Sequence, residues 1–402
     1  MFASYRRIFA APGAIAFTLA GLLGRLSFSM VGVSTVVMIA TRRDSYALAG
    51  AVTATGVITG ALGMPLLGRL VDRYGQSRVA VPSVLVAAVP FAALPLCARY
   101  DAPAWTLFVC FAASSVLPNL GGMARARWAY LYRDDPEARR LANSFEQALD
   151  ELCFMAGPVL AMLLCTSLFP EAGLTVAVLL SCTGGLAFAA QRRTEPPVQP
   201  PAPGGGGALR SSGLRVLVPA FVATGAVFGS MEVTTIAYAD SLGQRPLAGG
   251  LLALMAAGSC LSGLAFGLVR PKRTPAGRLV AGMAAMAGLL LLPLAAGVSG
   301  AGLGALAVAI LIAGSGTAPT MVAGLTLIQE LLPAGKLNEG MAVVISGLLV
   351  GISAGSALGG AVAQHATPGT GYWLPAGAAA LALLITLAGF RLLRAPRATG
   401  PA

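Results

Sequence analysis

The sequence predicts an all-α membrane protein with twelve transmembrane helices in two pseudo-symmetric six-helix bundles. Three observations lead to this fold class: the composition, the number of apolar runs, and a polar segment at the midpoint of the chain. Hydrophobic residues make up 56% of the 402 residues and charged residues only 10%, whereas about 25% is usual for charged residues in soluble domains. The mean hydropathy of +0.80 agrees. The first partner expected for this chain is therefore the lipid bilayer.

The apolar runs give the number of helices, because about 20 helical residues cross the hydrocarbon layer of a bilayer. Six runs precede the polar segment and six follow it, and the breaks between them are short. The predicted spans are 12–40, 46–67, 79–98, 103–123, 141–167 and 173–190, then 214–239, 246–269, 277–298, 302–327, 339–364 and 372–393. The fifth span should begin in the cytosol, since Asp135 can cap it, Pro136 suits its first position and Glu137 complements its dipole.

The polar segment reads QRRTEPPVQPPAPGGGGALRSS and is rich first in proline and then in glycine. Such a composition gives a stiff and then flexible tether without a core of its own. The predicted domains are therefore an N-terminal bundle over 1–190, a cytoplasmic linker over 191–213 and a C-terminal bundle over 214–402.

The net charge of +12 reflects orientation in the membrane. Most basic residues lie in the terminal segments and even-numbered loops, which is typical of cytoplasmic segments and places both termini in the cytoplasm. The exceptions in odd-numbered loops are Arg42, Arg43, Arg99 and Arg245. We therefore expect no nucleic-acid partner. Arginine far outnumbers lysine, which favours a high-GC bacterial gene and a bacterial cytoplasmic membrane.

No motif for enzymatic chemistry is present in the sequence. The cysteines lie singly within apolar spans, without a CxxC pair, so neither a disulfide nor a metal is assigned to them. The sequence also lacks HExxH and a phosphate-binding loop, because the GGGG of the linker is not followed by lysine. We expect no enzyme, no cofactor and no metal.

The loop between the second and third spans reads GRLVDRYGQSRV. It resembles the signature of the major facilitator superfamily at Gly68, Leu70, Asp72, Arg73 and Gly75. It departs from that signature at Gln76 and Ser77, where the family usually has basic residues. The resemblance implies a secondary transporter whose first, fourth, seventh and tenth helices line a central cavity.

The fifth span resembles, in part, an element of drug and metabolite antiporters. Gly157 and Pro158 carry that resemblance, with Ala156 and Ala161 beside them, and the element's earlier glycines are absent. The fourth span lacks the midmembrane arginine typical of many proton-coupled drug exporters, which leaves proton coupling by that route without support.

Glycines recur every four residues along the eleventh span, at Gly347, Gly351, Gly355 and Gly359. Such a stripe lets two helices approach closely. It is typical either of ordinary packing or of surfaces that slide during transport.

Arg25 lies near the middle of the first span, where a charge costs about 2.5 to 3.5 kcal/mol on the insertion scale. It shares a helical stripe with Thr18, Ser29 and Thr35, and that stripe is predicted to face the cavity. Arg25 is therefore a candidate for substrate binding or coupling. The alternative is a structural ion pair within the bundle.

Acidic residues inside the other spans are further candidates. Glu232 lies just beyond the middle of the seventh span, and Asp150 and Glu151 lie in the inner half of the fifth. Glu146 and Asp150 are four residues apart on one face and would repel each other unless Arg25, Arg125 or Arg127 compensates. A structural network at the cytoplasmic mouth is the alternative to a transport role.

Asn119 and Thr320 are the uncharged candidates, on the fourth and tenth spans, each next to a proline. The sequence thus favours a monomeric secondary transporter of a small molecule, working by alternating access. Efflux of a drug-like compound or secondary metabolite is the first expectation, with protons as an optional coupling partner. The alternatives are a nutrient importer of the sugar type and, in another class, a non-transporting sensor or scaffold.

Overall fold

A computed structural model describes residues 2–198, 207–244, 247–269, 273–365 and 368–393. These residues form helices and no strand, which confirms the predicted all-α fold. The chain divides into two compact units, Met1–Pro203 and Gly204–Ala402. Within the described ranges, eleven helical segments are long and apolar enough to cross a membrane.

Unit 1 is built around α2, which packs against α7 and α8. Its core is apolar and includes Met30, Phe91, Leu94, Leu107 and Leu174. The helices of this unit are α1 (Phe2–Ile8), α2 (Ala14–Arg43), α3 (Tyr46–Tyr74), α4 (Gln76–Arg99), α5 (Ala104–Ser114), α6 (Leu120–Leu131), α7 (Pro136–Ser167) and α8 (Ala172–Ala190).

The fourth predicted span, 103–123, is not one continuous helix. It is divided into α5 and α6 by a non-helical stretch over 115–119, and α6 continues to Leu131. Pro118 explains the break, because proline has no N–H and disfavours helical backbone at the residue before it. Asn119 then starts the second helix, since its side-chain oxygen accepts a hydrogen bond of 3.0 Å from the Gly122 amide. The fourth predicted span is thus discontinuous.

Unit 2 repeats this plan around α9, which packs against α15 and α16 as α2 packs against α7 and α8. Its tenth span is also interrupted, between α13 and α14. The helices are α9 (Ser212–Ser241), α10 (Ala248–Leu268), α11 (Pro275–Leu289), α12 (Leu291–Val298), α13 (Gly302–Gly314), α14 (Thr317–Leu331), α15 (Leu337–His365) and α16 (Trp373–Ala388).

The glycine stripe of the eleventh span lies inside unit 2. A Cβ atom at Gly351 would overlap the backbone oxygen of Val222 on α9, and one at Gly355 would overlap that of Ala226. On the facing helix, a Cβ at Gly225 would overlap the Leu348 oxygen. The glycines therefore allow α9 and α15 to pack backbone against backbone.

The signature loop between the second and third spans is a one-residue turn. α3 continues to Tyr74, α4 begins at Gln76, and Gly75 between them has a φ of 98°. This left-handed value favours glycine, because a Cβ atom would be strained there. Asp72 is buried in the last turn of α3, and the guanidinium of Arg73 lies 5.3 Å from the ring centroid of Tyr74.

The start of α7 agrees with its sequence signals. Asp135 caps the helix by accepting hydrogen bonds from the amides of Glu137 and Ala138, and Pro136 occupies the first position. The cap is also an ion-pair partner, because Arg7 Nη2 lies 2.7 Å from Asp135 Oδ2. The predicted cap and first position of this helix are confirmed, and its cytosolic location stays a prediction.

Two arginines at the predicted outer end of unit 1 are paired with acids. Arg42 donates two hydrogen bonds to Glu171, of 2.7 and 3.1 Å. Arg43 lies 2.7 Å from Asp101. Burial tends to raise the pKa of the Glu171 carboxyl, but the hydrogen bonds from Arg42, a backbone hydrogen bond and the charges of Arg42 and Arg99 together hold that pKa below its ordinary value. Arg42 and Arg43 are two of the four basic residues in the predicted outer loops, and these pairs offset their positive charge.

We expect Glu171→Gln to lower the melting temperature of the protein at neutral pH. The corresponding loss in free energy of unfolding should be about 1 kcal/mol, the upper end of the range for such a pair. Because folding depresses the pKa of Glu171, its contribution is complete above the unfolded value of about 4.3. That contribution is lost as pH falls through the lower folded value. Melting curves of both proteins between pH 7 and pH 3 should therefore converge at the acid end. A constant difference across this range would contradict the assignment.

Candidate functional site

Four ionisable side chains meet inside unit 1 and form what we call the buried ionic network. Its members are Arg25 on α2, Arg125 on α6, and Glu146 and Asp150 on α7. The three helices can meet there because α2 is the central helix of the unit and α6 restarts after the break at 115–119. Glu146 and Asp150 share a face because they are one helical turn apart.

Asp150 connects the two arginines. Its Oδ1 lies 3.0 Å from Arg25 Nη1, and its Oδ2 lies 2.7 Å from Arg125 Nη2. Arg25 Nη1 also lies 2.7 Å from Glu146 Oε2. The network therefore contains two positive and two negative groups in alternating contact, and its formal charge is balanced.

Neutral side chains extend the buried ionic network. Trp128 Nε1 donates a hydrogen bond of 2.6 Å to Glu146 Oε1. Gln147 lies between the network and Glu151, since its Nε2 donates to Glu151 Oε1 at 3.1 Å. Glu151, a predicted site residue, thus belongs to the edge of the same cluster.

The network is buried deeply enough for its charges to interact strongly. Glu146 is 0% exposed, Arg125 3% and Arg25 8%. Within the part of the chain that the structure describes, Arg25 Nη2 is buried without a hydrogen-bond acceptor, while Arg25 Nε donates to the Gly21 carbonyl at 3.2 Å. Removing one member would leave an opposite charge uncompensated, at a cost of about 3–5 kcal/mol.

The structure distinguishes between the arginines that sequence offered as partners for the acidic pair. Arg25 and Arg125 contact the carboxylates. Arg127, on the opposite face of α6, does not. Its guanidinium donates to Gln76 Oε1 at 2.8 Å and to Thr194 Oγ1 at 2.9 Å.

Arg127 is the residue whose role sequence reasoning missed. It is fully buried, and its guanidinium lies 3.9 Å from the ring centroid of Phe188. It also donates to the carbonyls of Phe188 and Gln191. These contacts fix the first residues of the predicted linker to unit 1. The departure from the family signature at Gln76 could have indicated this role, because Gln76 accepts a hydrogen bond from Arg127.

The polar stripe on α2 is largely buried. Thr18, Arg25 and Thr35 are all buried. Ser29 packs against α7, where a Cβ at Gly157 would overlap its side chain. Neighbouring helices of unit 1 thus cover this part of the stripe, and its orientation toward a central cavity stays a prediction. Gly157 allows that coverage, and Pro158 follows it within the continuous helix α7.

The remaining candidates lie apart from the network or beside it. Asn119 caps α6, and its Nδ2 is buried without a hydrogen-bond partner among the described residues. Thr320 is fully buried and donates to the Gly316 carbonyl within its own helix region. Glu232 lies on an exposed face of α9 in unit 2. Their roles in transport stay predictions.

Comparison with known proteins identifies the family. The Major Facilitator Superfamily profile matches residues 17–305. An uncharacterized MFS-type transporter of Sinorhizobium fredii is 27% identical over 390 residues, which cover 89% of this chain and 90% of that protein.

Solved structures show the same fold at low identity. A bacterial homologue of the iron transporter ferroportin, in an outward-facing state, has a TM-score of 0.74 at 18% identity, covering 94% of this chain and 98% of its own. The human organic anion transporter MFSD10 has a TM-score of 0.71 at 18% identity, covering 97% and 99%. The chain therefore belongs to the Major Facilitator Superfamily and is a multi-pass membrane protein of this transporter family.

Proposed function

We propose that this chain exports a drug-like compound or secondary metabolite across a bacterial cytoplasmic membrane by alternating access, in exchange for protons. The observation that carries the proposal is the buried ionic network of unit 1. Charged groups within membrane-spanning helices are costly and commonly mark substrate or proton pathways. A purely structural purpose explains such a network less well, because buried ion pairs contribute little net stability compared with apolar packing.

The geometry of Asp150 supports proton coupling. Its carboxylate contacts both arginines, so its protonation would weaken two ion pairs at once. Of its two ion pairs, Arg25 would then keep the one with Glu146. Protonation of Asp150 would thus give the network a second state that differs by one proton, which is what coupling requires.

Support for export comes from α7. Gly157 and Pro158 match part of the antiporter element, and Gly157 allows α7 to pack closely against Ser29 on α2. Among the solved structures of the same fold, a proton:xylose symporter has a TM-score of 0.66 at 14% identity, covering 93% of this chain and 95% of its own. Fold similarity therefore supports transport but not its direction.

The proposed function can be tested without knowing the cargo. Untargeted comparison of intracellular and extracellular metabolites, with the gene deleted and overexpressed, should reveal compounds that accumulate inside the deletion strain. Those compounds should leave proteoliposomes carrying the protein when an inward proton gradient is imposed, with a pH change reported by a dye in the lumen. Accumulation inside the overexpressing strain would show an importer instead. An unchanged metabolite profile would favour the non-transporting alternative.

A further inference from the structure

A cleft of about 360 Å³ lies at the end of unit 2 that the charge distribution predicts to be cytoplasmic. It is formed where the start of α9, the end of α14 and the turn after α16 come together. Its volume falls within the range of about 300–1,000 Å³ typical of small-molecule sites. The buried ionic network is in the other unit, so this cleft is separate from the residues proposed for coupling.

Basic side chains from three segments line the cleft: Arg210, Lys336 and Arg391. The side chains of Lys336 and Arg391 have no ion-pair or hydrogen-bond partner within the described residues. Arg210 already has an interaction with another group, as do Glu330 and Glu339, the acids nearest to Lys336 in sequence. Lys336 and Arg391 are therefore two cations available to an anionic ligand.

Polar and apolar groups around these cations indicate the kind of anion. Ser211 and Ser212 line the cleft at the start of α9, and the Ser211 side chain does not cap that helix. The hydroxyl groups and the first amides of α9 can thus donate to a phosphate oxygen. Leu392 also lines the cleft and is 50% exposed, and Leu209, which lies in sequence between the lining residues Ala208 and Arg210, is 51% exposed.

We propose that this cleft binds the head group of an anionic phospholipid, with the phosphate held by Lys336 and Arg391 and the acyl chains running along the exposed leucines. Basic pockets between transmembrane helices on the cytoplasmic side are suited to such head groups. The apolar rim favours a lipid over a free phosphate, which would gain nothing from Leu392. The lipid would connect the exit of the linker with the ends of α14 and α16.

Native mass spectrometry of the full-length protein in detergent, titrated with dioleoyl phosphatidylglycerol, tests the proposal. The double variant Lys336→Gln/Arg391→Gln should bind this lipid about thirtyfold more weakly, from about fivefold for each basic side chain removed. The matched control, Arg192→Gln/Arg193→Gln, removes the same charge from exposed positions of unit 1 and should bind like the wild type. Dioleoyl phosphatidylcholine should bind weakly to all three proteins.

Two further outcomes would overturn the proposal. Equal loss of binding in both double variants would show attraction by net charge without a site. Displacement of the lipid by millimolar inorganic phosphate or glycerol 3-phosphate would identify the cleft as a site for a soluble phosphate. The variants change exposed or half-buried side chains, and melting curves recorded on the same samples verify their folding. The result does not depend on the transport direction or the cargo.

Discussion

Replacing Arg25 with glutamine should abolish transport while the protein remains folded in the membrane. The change removes the cation that forms the ion pair with Glu146, and Asp150 then keeps its ion pair with Arg125. Transport of a compound found in the metabolite comparison, measured in proteoliposomes, should fall by at least about tenfold, with a loss of stability of up to about 3–5 kcal/mol for the unpaired carboxylate. Full activity in this variant would rule out Arg25 as a coupling residue.

A second variant separates coupling from simple pairing. Arg25→Gln/Glu146→Gln restores the balance of charge, because one cation and one anion are removed together. If Arg25 serves only as a structural partner of Glu146, the double variant should recover both melting temperature and transport. If the buried ionic network couples proton movement to transport, the double variant should recover the melting temperature but not the proton-driven flux.

Gly351→Leu should prevent unit 2 from folding correctly. Even a Cβ atom at this position would overlap the backbone oxygen of Val222. The backbone of α9 can make room only if the whole helix moves. Overpacking of this kind costs about 3 kcal/mol or more. We expect a strong loss of monodisperse protein in size-exclusion chromatography and a lower melting temperature in what remains.

Gly360→Leu on the same helix is the matched control. A Cβ at Gly360 meets nothing within 4 Å, so this variant should purify and melt like the wild type. Wild-type behaviour of Gly351→Leu would mean that α9 and α15 do not pack as closely as described here.

The membrane spans could be predicted from the sequence because hydropathy and length are local properties. In the fourth span, hydropathy and length did not predict the break in the helix. The run from 103 to 123 is apolar enough for one helix, but Pro118 followed by Asn119 ends one helix and caps the next. Both signals were in the sequence, and together they predict the break.

The ionic network could be predicted only in part. Arg25, Asp150 and Glu146 were recognisable because charges are rare in apolar runs. Which arginine would compensate the acids depended on the rotation of α6, which places Arg125 toward α7 and Arg127 toward the linker. Sequence spacing alone does not fix which face of a helix is turned toward its neighbours. The sequence therefore could not predict which of the two arginines contacts the acids.

The anchoring of the linker by Arg127 limits how far its two attachment points can separate. Thr194 is buried in unit 1 and Ala208 in unit 2, each 1% exposed. The chain between them can extend by at most roughly 50 Å, at about 3.6 Å per residue. Any conformational cycle must keep Thr194 and Ala208 within that distance. The stretch of chain that can extend is therefore shorter than the whole polar segment.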